Sequence, residues 1–219
     1  MRAFIKKLTH PFLKLGLKFY YFKPRKYCYD GICLKIHPNV FPPQLTLSTK
    51  IFLDFIKEID LIEKSFLELG CGSGILSLFA TKKGATVTAT DINRTALDFL
   101  KKNALNNKMQ LSIIESDLFE NIQNQPFDYI FINPPYYPKN PKNIKEKAWF
   151  CGENFEYFKQ LFLQLPKYLN SKNQTFMILS EDCEIEKIKS IANKSGINFT
   201  LVHQERKLAE NNFIFRLTS

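Results

Sequence analysis

A chain of 219 residues with 45% hydrophobic and 14% aromatic side chains holds enough apolar material for one sizeable core, which excludes a disordered or fibrous protein. Its formal charge of +10 is uneven: residues 1–50 carry ten Lys or Arg against Asp30 alone, whereas the remainder holds 21 bases against 20 acids. Lysines interrupt every apolar run before it reaches the ~20 residues of a membrane-spanning helix, and no small-residue cleavage site follows an apolar block near the N-terminus, so a cytoplasmic protein is expected.

Phe4, Leu8, Phe12, Leu15, Phe19 and Phe22 recur at three- or four-residue steps, with Lys7, Lys14 and Lys18 on the other side. The spacing predicts an amphipathic basic helix starting near Thr9 to Pro11. Such a helix could pack on the rest of the chain, contact an RNA or ribosome surface, or lie on a membrane. Residues 27–36 read as a hairpin about Asp30-Gly31, a pair that supplies the positive φ angles of a tight turn. A rigid loop over 37–43 follows, and Ser48 or Thr49 is expected to cap a helix reaching about Ile59. Residues 1–45 thus form a basic N-terminal extension, and 46–219 one catalytic domain. Cys28, Cys33, Cys71, Cys151 and Cys183 contain no C-x-x-C pair and are odd in number, so free thiols are expected rather than a disulfide or metal framework.

From Ser65 onward strands and helices alternate, the pattern of a parallel sheet covered on both faces. Strands are predicted at 66–69, 86–90, 111–115, 127–132, 174–180, 197–202 and 213–217, and helices at 74–82, 94–105, 155–168 and 185–195. The last two strands are joined by residues 204–212, too few for a crossover helix, and should pair antiparallel.

Chemistry-bearing residues fall where these strands end. The apolar run 127–132 stops at Asn133-Pro134-Pro135-Tyr136, which sets a polar amide and an aromatic at a C-terminal strand edge, where ligands bind in open α/β sheets. An ordinary Pro-rich loop is the plainer alternative. Glu68-Leu69-Gly70-Cys71-Gly72-Ser73-Gly74 lies between the first strand and its helix, and its glycines would let amide N–H groups approach a ligand. It is not a dinucleotide fingerprint, because Ile75 occupies the place of the third glycine. Asp91 lies 23 residues beyond Glu68 at the next strand's edge, fit to accept a ribose diol or merely to cap a helix. Ser116-Asp117-Leu118 follows the third strand, as a site or a turn.

Asn133-Pro134-Pro135-Tyr136 resembles the motif IV tetrapeptide of S-adenosylmethionine (SAM)-dependent amino methyltransferases, and the Gly run is similar to the E-x-G-x-G-x-G of class I methyltransferases. Residues 148–156 resemble the segment after that tetrapeptide in HemK-like enzymes, the release-factor glutamine methyltransferases and their relatives, with Cys151 and Asn154-Phe155 replacing parts of the usual Gly-Gly-x-Asp-Gly. The approach at 41–49 looks like the small-methyltransferase group. The resemblance covers roughly residues 38–219. It implies a Rossmann-like class I fold with a seven-stranded, mostly parallel sheet whose last strand is antiparallel.

The same resemblance implies SAM as cofactor, with Glu68, Gly70, Cys71, Gly72 and Gly74 about its methionine part and Asp91 with Ile92 at the ribose. Asp117 would meet the adenine amine and Leu118 the ring. Asn133 would border the cofactor while its side-chain oxygen and the Pro134 carbonyl accept the hydrogens of an acceptor nitrogen. Pro135 completes the catalytic tetrapeptide, and Tyr136 would stack on the acceptor. The expected activity is N-methylation of a macromolecule, a protein glutamine (as in a translation factor) slightly ahead of an rRNA, tRNA or DNA base. The basic N-terminus would suit contact with RNA or the ribosome. A non-catalytic SAM- or RNA-binding module and a nicotinamide-dependent oxidoreductase are the alternatives from other classes.

Overall fold

The computed structural model describes residues 22–207 and 210–219. The amphipathic basic helix expected to start near Thr9 to Pro11 falls outside them but for its end at Phe22. Among the described residues no helix is long and apolar enough to cross a membrane.

Strands β1 (Arg25–Tyr29) and β2 (Ile32–Ile36) form the expected hairpin. Asp30 and Gly31 turn it with φ of 46° and 79°. A two-residue turn fixes the register, so Tyr29 faces Ile32 and Cys28 faces Cys33. Here the expectation of free thiols fails for two of the five: Cys28 and Cys33 are joined by a disulfide with Cα atoms 4.2 Å apart. The turn chemistry places them directly across the ladder, a relation that the lack of a C-x-x-C pair conceals. Ile32, Leu34 and Ile36 point from β2 into the core.

Helix α1 (Leu47–Lys57) begins two residues earlier than a Ser48 cap requires. Thr46, with extended φ and ψ, is the N-cap and makes no side-chain cap bond. Ser48 and Thr49 therefore lie inside the first turn, both buried. At the other end the Lys83 ammonium donates to the carbonyls of Ile56, Lys57 and Ile59, satisfying groups a helix C-terminus leaves open.

The main sheet contains β3 (Ser65–Leu69), β4 (Thr86–Asp91), β5 (Ser112–Glu115), β6 (Tyr129–Ile132), β7 (Gln174–Ser180), β8 (Asn198–Lys207) and β9 (Glu210–Thr218), in the spatial order β5-β4-β3-β6-β7-β9-β8. Strands β3 to β7 are parallel, and β9 runs antiparallel between β7 and β8. The fold is therefore the α/β, Rossmann-like methyltransferase arrangement that the motifs imply. Helices α2 (Ile75–Lys82), α3 (Arg94–Asn106), α4 (Glu156–Gln164) and α5 (Ile185–Asn193) complete it.

Two differences from the sequence expectation have local causes. Helix α4 stops at Gln164 and gives way to a 3-10 turn over Leu165–Lys167, because Pro166 cannot donate its N–H to a continuing helix. Strand β8 continues to Lys207 rather than 202, as a polar ribbon paired to β9 whose alternation is too hydrophilic to announce a strand.

Alternate residues of the strands feed two cores. Phe66, Val87, Ala89, Phe131, Phe176 and Ile214 pack with β2 and helices α1 to α3 on one face. Leu67, Ile130, Ile132, Met177, Leu179 and Phe215 pack with α4 and α5 on the other. Phe131 is the hub of the first core, stacked on Phe66 at 4.9 Å and edge-on to Phe52 at 5.1 Å.

The register positions the site. Leu69 is level with both Thr90 and Ile132, and Asp91 with Glu115. Chain order runs outward from β3 in one direction to β5 and resumes on its other side at β6, so the topological switch lies between β3 and β6. Gly70, Asp91, Ser116 and Asn133 leave the sheet at neighbouring points along one rim.

Candidate active site

The turn after β3 is built by its own backbone. Cys71 N–H donates to the Thr90 carbonyl at 2.7 Å and Gly74 N–H to the Cys71 carbonyl at 2.7 Å. Gly72 has a φ of 50°, and its N–H donates to Asp91 Oδ2 at 2.7 Å. Asp91 Oδ1 accepts from Asn93 N–H at 2.8 Å. Both carboxylate oxygens are thus fixed, and each keeps lone-pair capacity. Burial raises the Asp91 pKa, opposed by those backbone donors.

Glu68 lies beneath the turn, 5% exposed. Its Oε2 accepts from Ser77 N–H at 2.8 Å and from the Ser77 hydroxyl, which ties β3 to helix α2. Burial pushes its pKa up to about 8 despite those bonds. A ligand cation at this point would restore the ionised form.

Asp117 follows β5, half exposed, with Lys147 Nζ 4.0 Å from Oδ2. Leu118 is buried at a φ of 51°, its carbonyl accepting from the Ser116 hydroxyl at 2.8 Å. Asn133 directly follows β6, and its Nδ2 donates to Ser48 Oγ at 3.3 Å. Tyr136 and Tyr137 place their rings 4.7 Å apart, and burial raises the Tyr136 pKa above that of a free phenol. Tyr137 N–H donates to the Trp149 carbonyl and Cys151 N–H to the Tyr137 carbonyl, closing the intervening loop on itself.

These elements enclose one cavity of about 390 Å³. Glu68, Gly70, Cys71, Gly72, Asp91, Ile92, Asp117, Leu118, Asn133, Pro134, Pro135 and Tyr136 all line it. Gly74 does not. A Cβ there would overlap the Leu100 side chain, so this glycine, at a φ of 73°, serves the packing of the turn on α3. The sequence profile of the methyltransferase small domain matches residues 31–194.

The chain belongs to the methyltransferase small-domain family. Among similar proteins is one of Methanocaldococcus jannaschii provisionally named a protein N5-glutamine methyltransferase, 33% identical over 182 residues, 78% of this chain and 90% of that protein. Ribosomal RNA small subunit methyltransferase C of Haemophilus influenzae is 28% identical over 168 residues, 71% of this chain but only 50% of that protein. The fold resembles that of the Thermus thermophilus 16S rRNA N2 G1207 methyltransferase solved with AdoMet and guanosine, with a TM-score of 0.66 at 18% identity over 90% of this chain and 50% of that one. The family and its HemK-like relatives make this chain a SAM-dependent methyltransferase, in agreement with the motifs.

The donor set of this methyltransferase suits SAM. The cofactor carries a cationic amino acid, a ribose diol and an adenine, and the cavity offers a buried carboxyl under a glycine turn, a braced carboxylate one strand over, and an acid beside a leucine one strand further. Other wall residues were given no site role by the sequence, although Phe41 and Trp149 lie in segments that resemble the family. Phe41, from the loop before α1, sets its ring 4.7 Å from that of Trp149, which bridges two sides of the cavity. Tyr157 also lines it, with burial and the nearby Asp91 and Asp117 raising its pKa.

Proposed function

We propose that this enzyme methylates the side-chain amide nitrogen of a protein glutamine. The observation that carries the reading is the meeting of Asn133-Pro134-Pro135-Tyr136 with the glycine turn, Asp91 and Asp117 in one cavity. The named activity of the archaeal relative, which aligns over most of both chains, favours glutamine as the acceptor. The substrate would be a macromolecule such as a translation factor, in the cytoplasm.

In this proposal Asp91 and Ile92 hold the ribose of SAM, Asp117 and Leu118 its adenine, and the turn from Gly70 to Gly72 with Glu68 its methionine end. Bound SAM supplies a methyl group on a positively charged sulfur. An amide nitrogen is a poor nucleophile because its lone pair is delocalised. Asn133 Oδ1 and the Pro134 carbonyl accept its two hydrogens, turn the lone pair toward the donor, and stabilise positive charge as it develops on nitrogen. Tyr136 packs against the planar amide. Once methylated, the cationic amide nitrogen is acidic enough to give up one of its hydrogens to water, so no strong base is needed.

A base amino group is the second reading, favoured by the ribosomal RNA relative and by the exposed Lys139, Lys142, Lys145 and Lys147 on the loop whose Asn140, Pro141, Ile144 and Lys147 line the cavity. The test is transfer from methyl-labelled SAM into lysate of cells lacking the enzyme, followed by protease or nuclease digestion and hydrolysis. Label released by protease as N5-methylglutamine is expected. Label released only by nuclease favours the base, and label released by neither overturns a macromolecular acceptor.

A further inference from the structure

We propose that Ser48 is a positioning residue that fixes which end of the Asn133 carboxamide faces the acceptor, an inference resting on the proposed role of Asn133. The two ends of a carboxamide have similar shape and opposite hydrogen-bonding character, and the torsion that exchanges them has a broad, roughly two-fold profile. An acceptor N–H meeting Oδ1 is attracted, whereas one meeting the NH2 group faces another donor.

The hydrogen bond from Asn133 Nδ2 to Ser48 Oγ, at 3.3 Å, is the only one to that side chain among the described residues. With the Ser48 hydroxyl as the acceptor, the nitrogen end lies toward α1 and Oδ1 is left for the cavity that Asn133 borders. Ser48 is free for this task because Thr46, not Ser48, stands at the N-cap, and the residue is only 9% exposed. The pairing is enforced by the core beneath it. Phe52 follows Ser48 by one helical turn, Phe131 precedes Asn133 by two residues on the same strand face, and the Phe52 and Phe131 rings meet edge-on at 5.1 Å. The two contacts, one buried and one at the rim, set α1 and β6 in a single register. Residues 85 apart in sequence thereby act on one atom.

The experiment compares Ser48→Thr with Ser48→Val, side chains of nearly equal size that differ in the hydroxyl, alongside Ser48→Ala and Asn133→Ala. Label transfer from methyl-labelled SAM to the lysate acceptor gives the rate, and calorimetry gives the SAM Kd. Ser48→Thr is expected to stay within about twofold of the native rate, while Ser48→Val and Ser48→Ala lose about tenfold in kcat with the SAM Kd unchanged, the effect of one misdirected hydrogen bond. Equal rates for the Thr and Val variants, or a loss that appears wholly in SAM affinity, overturn the role of Ser48. Native transfer by Asn133→Ala would instead overturn the reading of Asn133 itself, whatever the Ser48 variants do.

Discussion

Asp91 receives the Gly72 N–H at 2.7 Å, so the carboxylate proposed to hold the ribose is also the brace of the glycine turn. In that proposal one side chain couples the two halves of the cofactor site. Asp91→Ala should therefore weaken SAM binding more than a single ligand contact would, by about 100-fold, since charged hydrogen bonds are worth about 1.5–3 kcal/mol each. Calorimetric titration with SAM checks this, and a change below about threefold would detach Asp91 from the site.

Glu68 makes stability depend on pH. Its folded pKa of about 8 lies above the ordinary glutamate value of 4.5, so the folded state holds a proton that the unfolded chain releases. That contribution is fully present below about pH 4.5 and is lost as pH rises through about 8, amounting to on the order of 3–5 kcal/mol. Asp91, raised by the same burial, acts in the same direction. Denaturant titrations of the ligand-free protein at pH 5 and pH 8 should show falling stability, and Glu68→Gln should flatten the trend. A rise in stability over that range would contradict the burial argument.

Trp149 is the only tryptophan in the chain, and it lines the cavity against Phe41. Saturating SAM should change its emission, and Phe41→Ala should loosen SAM by about tenfold through the lost ring contact and exposed wall. An emission spectrum that SAM leaves unaltered would place the cofactor away from this wall.

The hairpin should survive reduction. Its disulfide spans a sequence separation of 5, and closing so short a loop is worth at most about 2 kcal/mol in the chain-entropy account. The asparagines of α3 hold it more firmly: Asn103 donates to the Lys35 carbonyl and accepts its N–H, both at 2.9 Å, and Asn107 does the same for Cys33. These side-chain amides satisfy the free edge of β2 as a third strand would. In urea titrations Asn103→Ala should cost about 2 kcal/mol or more, exceeding the Cys28→Ser, Cys33→Ser pair; the reverse order would make the disulfide the main anchor.

The rim of the site was legible because strand ends and glycine turns are local events. Each motif follows an apolar run, and the parallel register that levels Leu69 with Ile132 brings them together without further information. What escaped depends on distant partners. Ser48 reads as a cap because any Ser before an apolar-periodic run does, while its real partner lies on β6. Gly74 reads as a ligand contact, while its cause is Leu100 on the next helix. Cys28 and Cys33 could have been paired from the Asp30-Gly31 turn alone, had its register been carried two residues back along each strand.

Asn133 is proposed to act on the acceptor nitrogen and not on the cofactor. The most direct measurement sets the SAM Kd of Asn133→Ala beside its rate of label transfer. The account predicts a Kd within about twofold of native and a rate lower by about 100- to 1,000-fold, as when one preorganised acceptor or donor is removed from a reacting centre. Transfer at the native rate, or a loss of transfer matched by an equal loss of SAM affinity, would contradict it.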